Sequence, residues 1–358
     1  MKQHIFLHIG HPKTGSSAFQ SCLARSHDAL KDKGFLYPYH DSFTRASRRQ
    51  VSSGNISIGP EDHNWLTTTV LPILENNHHY HTVIFSNENL IHRIVDFTST
   101  VRSLPAHWQF HVLLAVRDPI EQLSSVYQQR VKRHGYCKGY EEFLSEHEYR
   151  CNATAKAAAA IAAFEALEIR YSLFNYSALK TSVIDALIQA IGIDANIIDR
   201  SLPAPVNRSL SAAELQLMLF VNAIHGRSVG RLLADSLVNK LPDVTPVALA
   251  MQPGSKLKVE SENRQHVDFI NERLATEAQL LLTEKPGFTG DLHWNLCDEQ
   301  LQLSREILTA LPTENNNPTA SEAWQRDAQR LMAVVSRLLQ AQQTTPTMHQ
   351  PEQRNNRF

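Results

Sequence analysis

The sequence predicts an α/β protein: a central parallel β-sheet flanked by helices in three layers, with helical additions toward the C-terminus. Three observations carry this. Short apolar or β-branched runs at 5–9, 82–86, 110–116 and 168–174 alternate with segments of helical period, the pattern of parallel strands joined by crossover helices. The first run passes through a glycine loop straight into a helix, and so does an apolar run that ends in an Arg-Asp-Pro turn. The composition, 42% hydrophobic and 20% charged over 358 residues, suits one large α/β domain or two small ones.

Taken in order, Ile5 to Ile9 is the first strand. The helix after it, from Ser16 to about Lys31, puts Phe19, Leu23, Ala24 and Leu30 along one side and is ended by Gly34. Residues 38–60, rich in Ser, Gly, Arg and Pro and without period, are expected to form a long flexible loop near the active edge. Glu61 to Asn76 is expected to be helical and to lead into the strand ending at Ser86. Ala153 to Leu167 is alanine-dense, a packing helix. Beyond Ser177 the pattern is mainly helical, with Ser211-Ala-Ala-Glu214 offering a capping box before the apolar run to Val221; this half is expected to complete a lid and an outer layer. Residues 1–311 thus form the α/β domain and 312–318 a linker. In 319–342, Trp324, Ala328, Leu331, Val335 and Leu338 recur as an amphipathic helix that docks on the body or makes a homodimer; 343–358 is a polar tail expected to be disordered.

A net charge of −1 argues against a nucleic-acid partner, since phosphate-backbone affinity needs a marked basic excess. No stretch approaches the ~20 apolar residues of a membrane span, and a strand beginning by about residue 4 leaves no room for a signal peptide, so a cytoplasmic protein is expected. Cys22, Cys137, Cys151 and Cys297 show no CxxC spacing and are expected to be free thiols; in an oxidising compartment Cys137 and Cys151 would be the pair to suspect. His78, His79 and His81 share one Asn-rich loop with no second ligand cluster, so no metal site is expected.

The chemistry is concentrated in two segments. In Pro12-Lys13-Thr14-Gly15-Ser16-Ser17, backbone N–H groups and the positive end of the following helix are suited to a phosphate or sulfate, with Lys13 as the cation. In the nucleotide-triphosphatase loop GxxxxGK(S/T) the lysine directly follows the second glycine; here it precedes Gly15 by two residues. In the second segment, Arg117 ends an apolar strand, Asp118-Pro119 opens a helix, and Ser125 lies about two turns further on, so both side chains can converge on one anion. A carboxylate, Glu88, follows the strand ending at Ser86. It is a candidate base, with a histidine of the His8 or His11 region as the second candidate, or else a surface glutamate in the first turn of the next helix. His8, in its strand, is expected to be a core or cleft-edge histidine, whereas His11 in the loop can touch a substrate. Arg130, Lys132, Arg133 and His134 form a basic helix end, either solvated or turned toward an acidic acceptor, with Arg133 and His134 the expected substrate contacts.

The lysine-bearing loop and the R-D-P segment with its serine, in this order and about a hundred residues apart, resemble the sulfotransferases that use 3′-phosphoadenosine 5′-phosphosulfate (PAPS). Ser86-Asn87-Glu88-Asn89-Leu90 is similar to the S-E-x-L segment of bacterial and carbohydrate members. The resemblance covers about residues 4–225 and implies a P-loop-like fold, PAPS as donor and 3′-phosphoadenosine 5′-phosphate (PAP) as product. It further implies Lys13 on the leaving phosphate, Thr14, Gly15, Ser16 and Ser17 around the 5′-phosphate, Arg117 and Ser125 on the 3′-phosphate, and Glu88 as base. In Val206-Asn207-Arg208-Ser209-Leu210-Ser211, Arg208 would add charge at the 3′-phosphate. The later glycine-rich cofactor segment of vertebrate cytosolic members has no counterpart, which points to a small-molecule or glycan acceptor, on a saccharide or glycolipid, rather than a phenol or steroid. The alternatives are a P-loop nucleotide kinase, which lacks support in the missing lysine after Gly15, and a member of the fold that binds nucleotide or a partner without turnover.

Overall fold

The computed structural model describes residues 2–11, 13–47, 54–59, 61–146, 152–201, 208–283 and 296–310. The linker, amphipathic helix and tail expected over 312–358, Cys151, and residues 206 and 207 lie outside the described residues.

The strands in chain order are β1 (Gln3–Gly10), β2 (Phe35–Leu36), β3 (Thr82–Ser86), β4 (Trp108–Val116) and β5 (Arg170–Asn175). They form one five-stranded parallel sheet in the order β2-β3-β1-β4-β5. The first helices are α1 (Ser16–Arg25), α2 (His27–Asp32), α3 (Phe43–Ser47), α4 (Leu71–Asn76) and α5 (Ile94–Val101). Then come α6 (Pro119–His134), α7 (Tyr140–Ser145), α8 (Asn152–Ala166), α9 (Tyr176–Leu179) and α10 (Val183–Ile191). Last are α11 (Ala212–Lys240), α12 (Pro253–Asn271) and α13 (Asp298–Ala310). The expected α/β class, a parallel sheet between helices, is what the chain adopts.

Both faces of the sheet are covered, so β1 is a continuous apolar run whose alternate residues serve two cores. Ile5, Leu7 and Ile9 pack with Val83, Phe85, Val112 and Leu114 against α8. Phe6 joins Ile84, Leu113 and the α1 residues Phe19 and Leu23 on the other face. Each such fully buried side chain contributes about 1.5–3 kcal/mol. A third core binds α6 to α11 through Leu123, Tyr127 and Val131 with Met218, Val221 and Leu237. The C-terminal half is thus a helical layer fixed along α6. Its capping box forms as expected, with Ser211 Oγ accepting from Glu214 N at 3.2 Å and Ser211 N donating to Glu214 Oε2 at 2.8 Å.

Three expectations are corrected. The helix from Ser16 breaks at Ser26, whose hydroxyl accepts a hydrogen bond from Asp199 N at 2.8 Å while Arg25 pairs with Asp199. The helix expected from Glu61 starts at Leu66 as a π-helical turn, because the Thr67 and Thr68 hydroxyls and N–H groups all donate to Asn64 O. The loop at 38–60 is partly structured: it contains α3, and 54–56 is fastened to β3. Since β2 covers β3 only as far as Val83, the last β3 backbone groups need partners. Asn55 supplies them, donating from Nδ2 to Ile84 O at 2.9 Å, accepting from Ser86 N at 2.8 Å, and donating its own N–H to Ser86 O at 3.0 Å. Gly54 lies so close that a Cβ there would fall 1.7 Å from Ser86 O.

Candidate active site

Open parallel sheets present ligands at the carboxyl ends of their strands, and here four strand ends share one cleft of about 680 Å³. The loop after β1 brings Lys13, the turn after β3 brings Glu88, Arg117 follows β4, and Tyr176 follows β5. The β1 loop is held by Thr14 Oγ1 donating to His11 O at 2.7 Å and by His11 N donating to Ala115 O at 3.3 Å. Lys13 and Gly15 both have left-handed backbones, φ 73° and 85°. Gly15 N-caps α1 without a side-chain cap, so the first N–H groups of the helix, at the cleft-lining Ser16 and Ser17, are the unsatisfied donors of a helix start. The Ser16 hydroxyl is buried and has no hydrogen bond of normal geometry.

Lys13 Nζ donates to Gln129 Oε1 on α6 at 2.6 Å. Burial first, then the charges of Arg133 and Arg117, push this lysine down to about 8, against an upward pull from Glu88. Arg117 steadies the same loop: Nη1 donates to Lys13 O at 3.0 Å, Nε lies 3.5 Å from Glu121 Oε2, and the guanidinium is 5.2 Å from the Tyr176 ring centre. Its Nη2 has no partner among the described residues. Glu88 opens a 3₁₀ turn whose N-cap Asn87 accepts from Asn89 N at 2.7 Å. Burial raises its carboxyl above the usual glutamate range, while Lys13 and the facing Ser16 hydroxyl favour the charged form. Ser125 and His134 also line the cleft. Burial and the surrounding arginines hold His134 below the ordinary histidine value.

Four of the residues expected at the site are used differently. Thr14 spends its hydroxyl inside the loop, leaving its backbone as its contribution. His11 is buried off the cleft, beside His92 and Lys156, and burial chiefly lowers it to about 4. Arg133 turns from the cleft to pair with Asp235 of α11. Arg208 is a scaffold group: it forms two 2.7 Å hydrogen bonds with Glu214 and donates through Nε to Leu241 O at 2.7 Å. The physical reason is the Glu214 carboxylate, buried beneath the capping box and in need of a counter-charge. Burial tends to raise that carboxyl, but the bonds from Arg208, Ser211 and Gln300 outweigh it and hold it below the usual range. His8 is likewise a core group, with Nδ1 2.8 Å from Ser86 Oγ and burial lowering it to about 4.

The cleft also contains Gln128, Gln129 and Tyr176, to which the sequence assigned no role, together with Lys132 of the basic helix end and Ser209 beside Arg208. Gln129 was findable from helical spacing, one turn beyond Ser125 on the same side of α6, with Lys132 a further turn on. Tyr176 had only its place directly after a strand as a signal. Among the described residues no helix is long and apolar enough to cross a membrane, and no three His, Cys, Asp or Glu side chains are grouped as metal ligands.

No family model matches the sequence, and no curated protein matches it. Among solved structures, the chain is similar to a sulfotransferase domain from the curacin biosynthetic pathway, at 14% identity and a TM-score of 0.34, over 73% of this chain and 97% of that one. At that similarity a function has to be argued from the cleft itself.

Proposed function

We propose that the chain is a PAPS-dependent sulfotransferase acting on an acceptor hydroxyl, on a saccharide or glycolipid. The observation that carries this reading is the shared cleft of Lys13, Glu88, Arg117 and Ser125, which come from three different strand ends and from α6. The residues fit a nucleotide with two separated anionic groups: an uncapped helix start with the buried Ser16 hydroxyl and Lys13 at one, and Arg117 with Ser125 at the other. PAPS would supply a sulfuryl group already activated on a phosphate.

Lys13 then neutralises the charge that grows on the departing phosphate oxygen, exchanging its Gln129 partner for it. Glu88 accepts the acceptor's hydroxyl proton, as that oxygen bonds to sulfur and the sulfur–phosphate oxygen bond breaks. Burial makes Glu88 a stronger base than a solvated glutamate, and Lys13 keeps it ionised. Gly15, Ser16 and Ser17 orient the 5′-phosphate through N–H groups and hydroxyls, and Thr14 holds the loop in shape. Arg117 reads the 3′-phosphate with the donors left after its bond to Lys13 O.

The test is thermal stabilisation by PAP, with ADP and with ATP plus magnesium as comparators. At about a hundred times its dissociation constant a ligand stabilises the native state by roughly 2.7 kcal/mol. A shift with PAP alone supports the reading. A shift only with ATP and magnesium would replace it with the kinase, and no shift with any nucleotide with a binding module of other function.

A further inference from the structure

Helix α6 forms one wall of the cleft and presents Ser125, Gln129 and Lys132 to it. Lys13 meets this wall at Gln129. Ser125 and Lys132 are therefore on opposite sides of the lysine contact, separated by seven residues or about 10.5 Å of helix rise. On the N-terminal side the cation is Arg117. On the C-terminal side it is Lys132, only 4% exposed, whose Nζ donates to Arg208 O at 2.8 Å. That carbonyl is immobilised by the Arg208–Glu214 pair.

Among the described residues the charges that act on Lys132 are Lys13, Arg133 and Arg208, all positive, and the carboxylate of Asp235. Burial first, then these cations, push Lys132 down to about 7. An ammonium in that setting is held at a cost that an incoming anion would offset. Arg130 and His134 line the same end of the cleft, and among the described residues the only carboxylate in the cleft lining is Glu88. The donor's two anionic groups are matched by Arg117 with Ser125 and by Lys13, which leaves this end with one cationic station more than the donor uses.

We infer that the Lys132 end of the cleft is an anion subsite for the acceptor: Lys132, with Arg130, His134 and Ser209 beside it, takes a carboxylate or sulfate ester on the sugar. The acceptor class is then anionic saccharides rather than neutral ones. This rests on the sulfotransferase reading, in which the donor occupies the remainder of the cleft.

The experiment uses three matched glycosides: p-nitrophenyl β-glucuronide, p-nitrophenyl β-glucoside 6-sulfate, and p-nitrophenyl β-glucoside as the uncharged reference. Binding to the full chain saturated with PAP is measured by calorimetry. The two charged sugars separate a carboxylate from a sulfate as the group bound. At least one is expected to bind about tenfold or more tightly than the glucoside. Lys132→Met should reduce that preference to within about threefold while PAP affinity stays within about threefold, and Lys132→Arg should keep most of the preference. Absence of any preference in the wild-type protein overturns the inference without recourse to a variant. So does a Lys132→Met protein that loses PAP affinity tenfold, which would make Lys132 part of the donor site. If PAP fails to bind at all, the sulfotransferase reading falls; a preference for a charged sugar by the nucleotide-free protein, lost in Lys132→Met, would still support the subsite.

Discussion

Replacing Arg208 by methionine separates a scaffold role from a ligand role. The Arg208 and Glu214 side chains are 5% and 0% exposed and are joined by two hydrogen bonds of 2.7 Å. Removing the guanidinium leaves the carboxylate buried with, among the described residues, only Gln300 Nε2, at 2.8 Å, and Ser211 N, at 2.8 Å, as charge-stabilising donors. Breaking one side of a buried ion pair costs about 3–5 kcal/mol, whereas replacing both partners with apolar groups is often neutral. The Leu241 carbonyl also loses its 2.7 Å donor, a further penalty of about 1 kcal/mol. Arg208→Met should therefore lower the unfolding free energy by about 3–5 kcal/mol, and the double variant with Glu214→Leu should recover most of it. Urea denaturation reads this as a lower midpoint at unchanged slope. PAP affinity, measured by calorimetry at low temperature on whichever of the two variants is folded, should remain within about threefold of wild type. A stability loss below about 1 kcal/mol together with a tenfold loss of PAP affinity would refute the scaffold role and return Arg208 to the anion site.

Glu88→Gln should abolish the base while keeping the fold: transfer falls by about a hundredfold or more, and PAP binds equally well or better because a negative charge has left the cleft. Stopped-flow or radiolabel transfer assays beside PAP calorimetry check both halves, and retained transfer moves the base elsewhere. Lys13 is lowered from 10.5 to about 8, so the folded chain loses this proton before the unfolded chain does. Its burial penalty is thus relieved, and stability gained, as pH rises from about 8 toward the ordinary lysine value, while PAP affinity declines over the same window. Calorimetry between pH 7 and 9.5 should show that decline in wild type and a flatter profile in Lys13→Met. Gly15→Ala forces a Cβ onto a φ of 85°, within 3.1 Å of Val183 and 3.3 Å of Tyr176. The strain is about 1–2 kcal/mol, read as a lower melting temperature; an unchanged melting temperature with unchanged PAP binding would mean the loop is not fixed as described.

The sequence by itself determined the fold class, four of the five strands, the α11 capping box and the cleft membership of Lys13, Gly15, Ser16, Ser17, Glu88, Arg117, Ser125 and His134. These follow from local causes: short apolar runs in β1 and β4 that are buried on both faces of the sheet, a glycine that accepts a left-handed backbone, and a strand end that must place its next residues at the sheet's carboxyl edge. Residues Phe35 and Leu36 escaped because a two-residue strand has no period to detect.

Only the tertiary structure decided which way each charged side chain turned. Arg133 and Arg208 are as basic in sequence as Arg130 and Lys132, yet Asp235 draws one away and Glu214 the other. α11 brings up both partners: Asp235 lies far along the chain from Arg133, while Glu214 lies six residues from Arg208 and is buried by the packing of α11. Asn55 fastens the end of β3 across 31 residues of chain, and Gln129 meets Lys13 across 116. Such pairings depend on which carboxylates and backbone groups the packed helices bury and oblige to find partners, and local pattern carries no record of that.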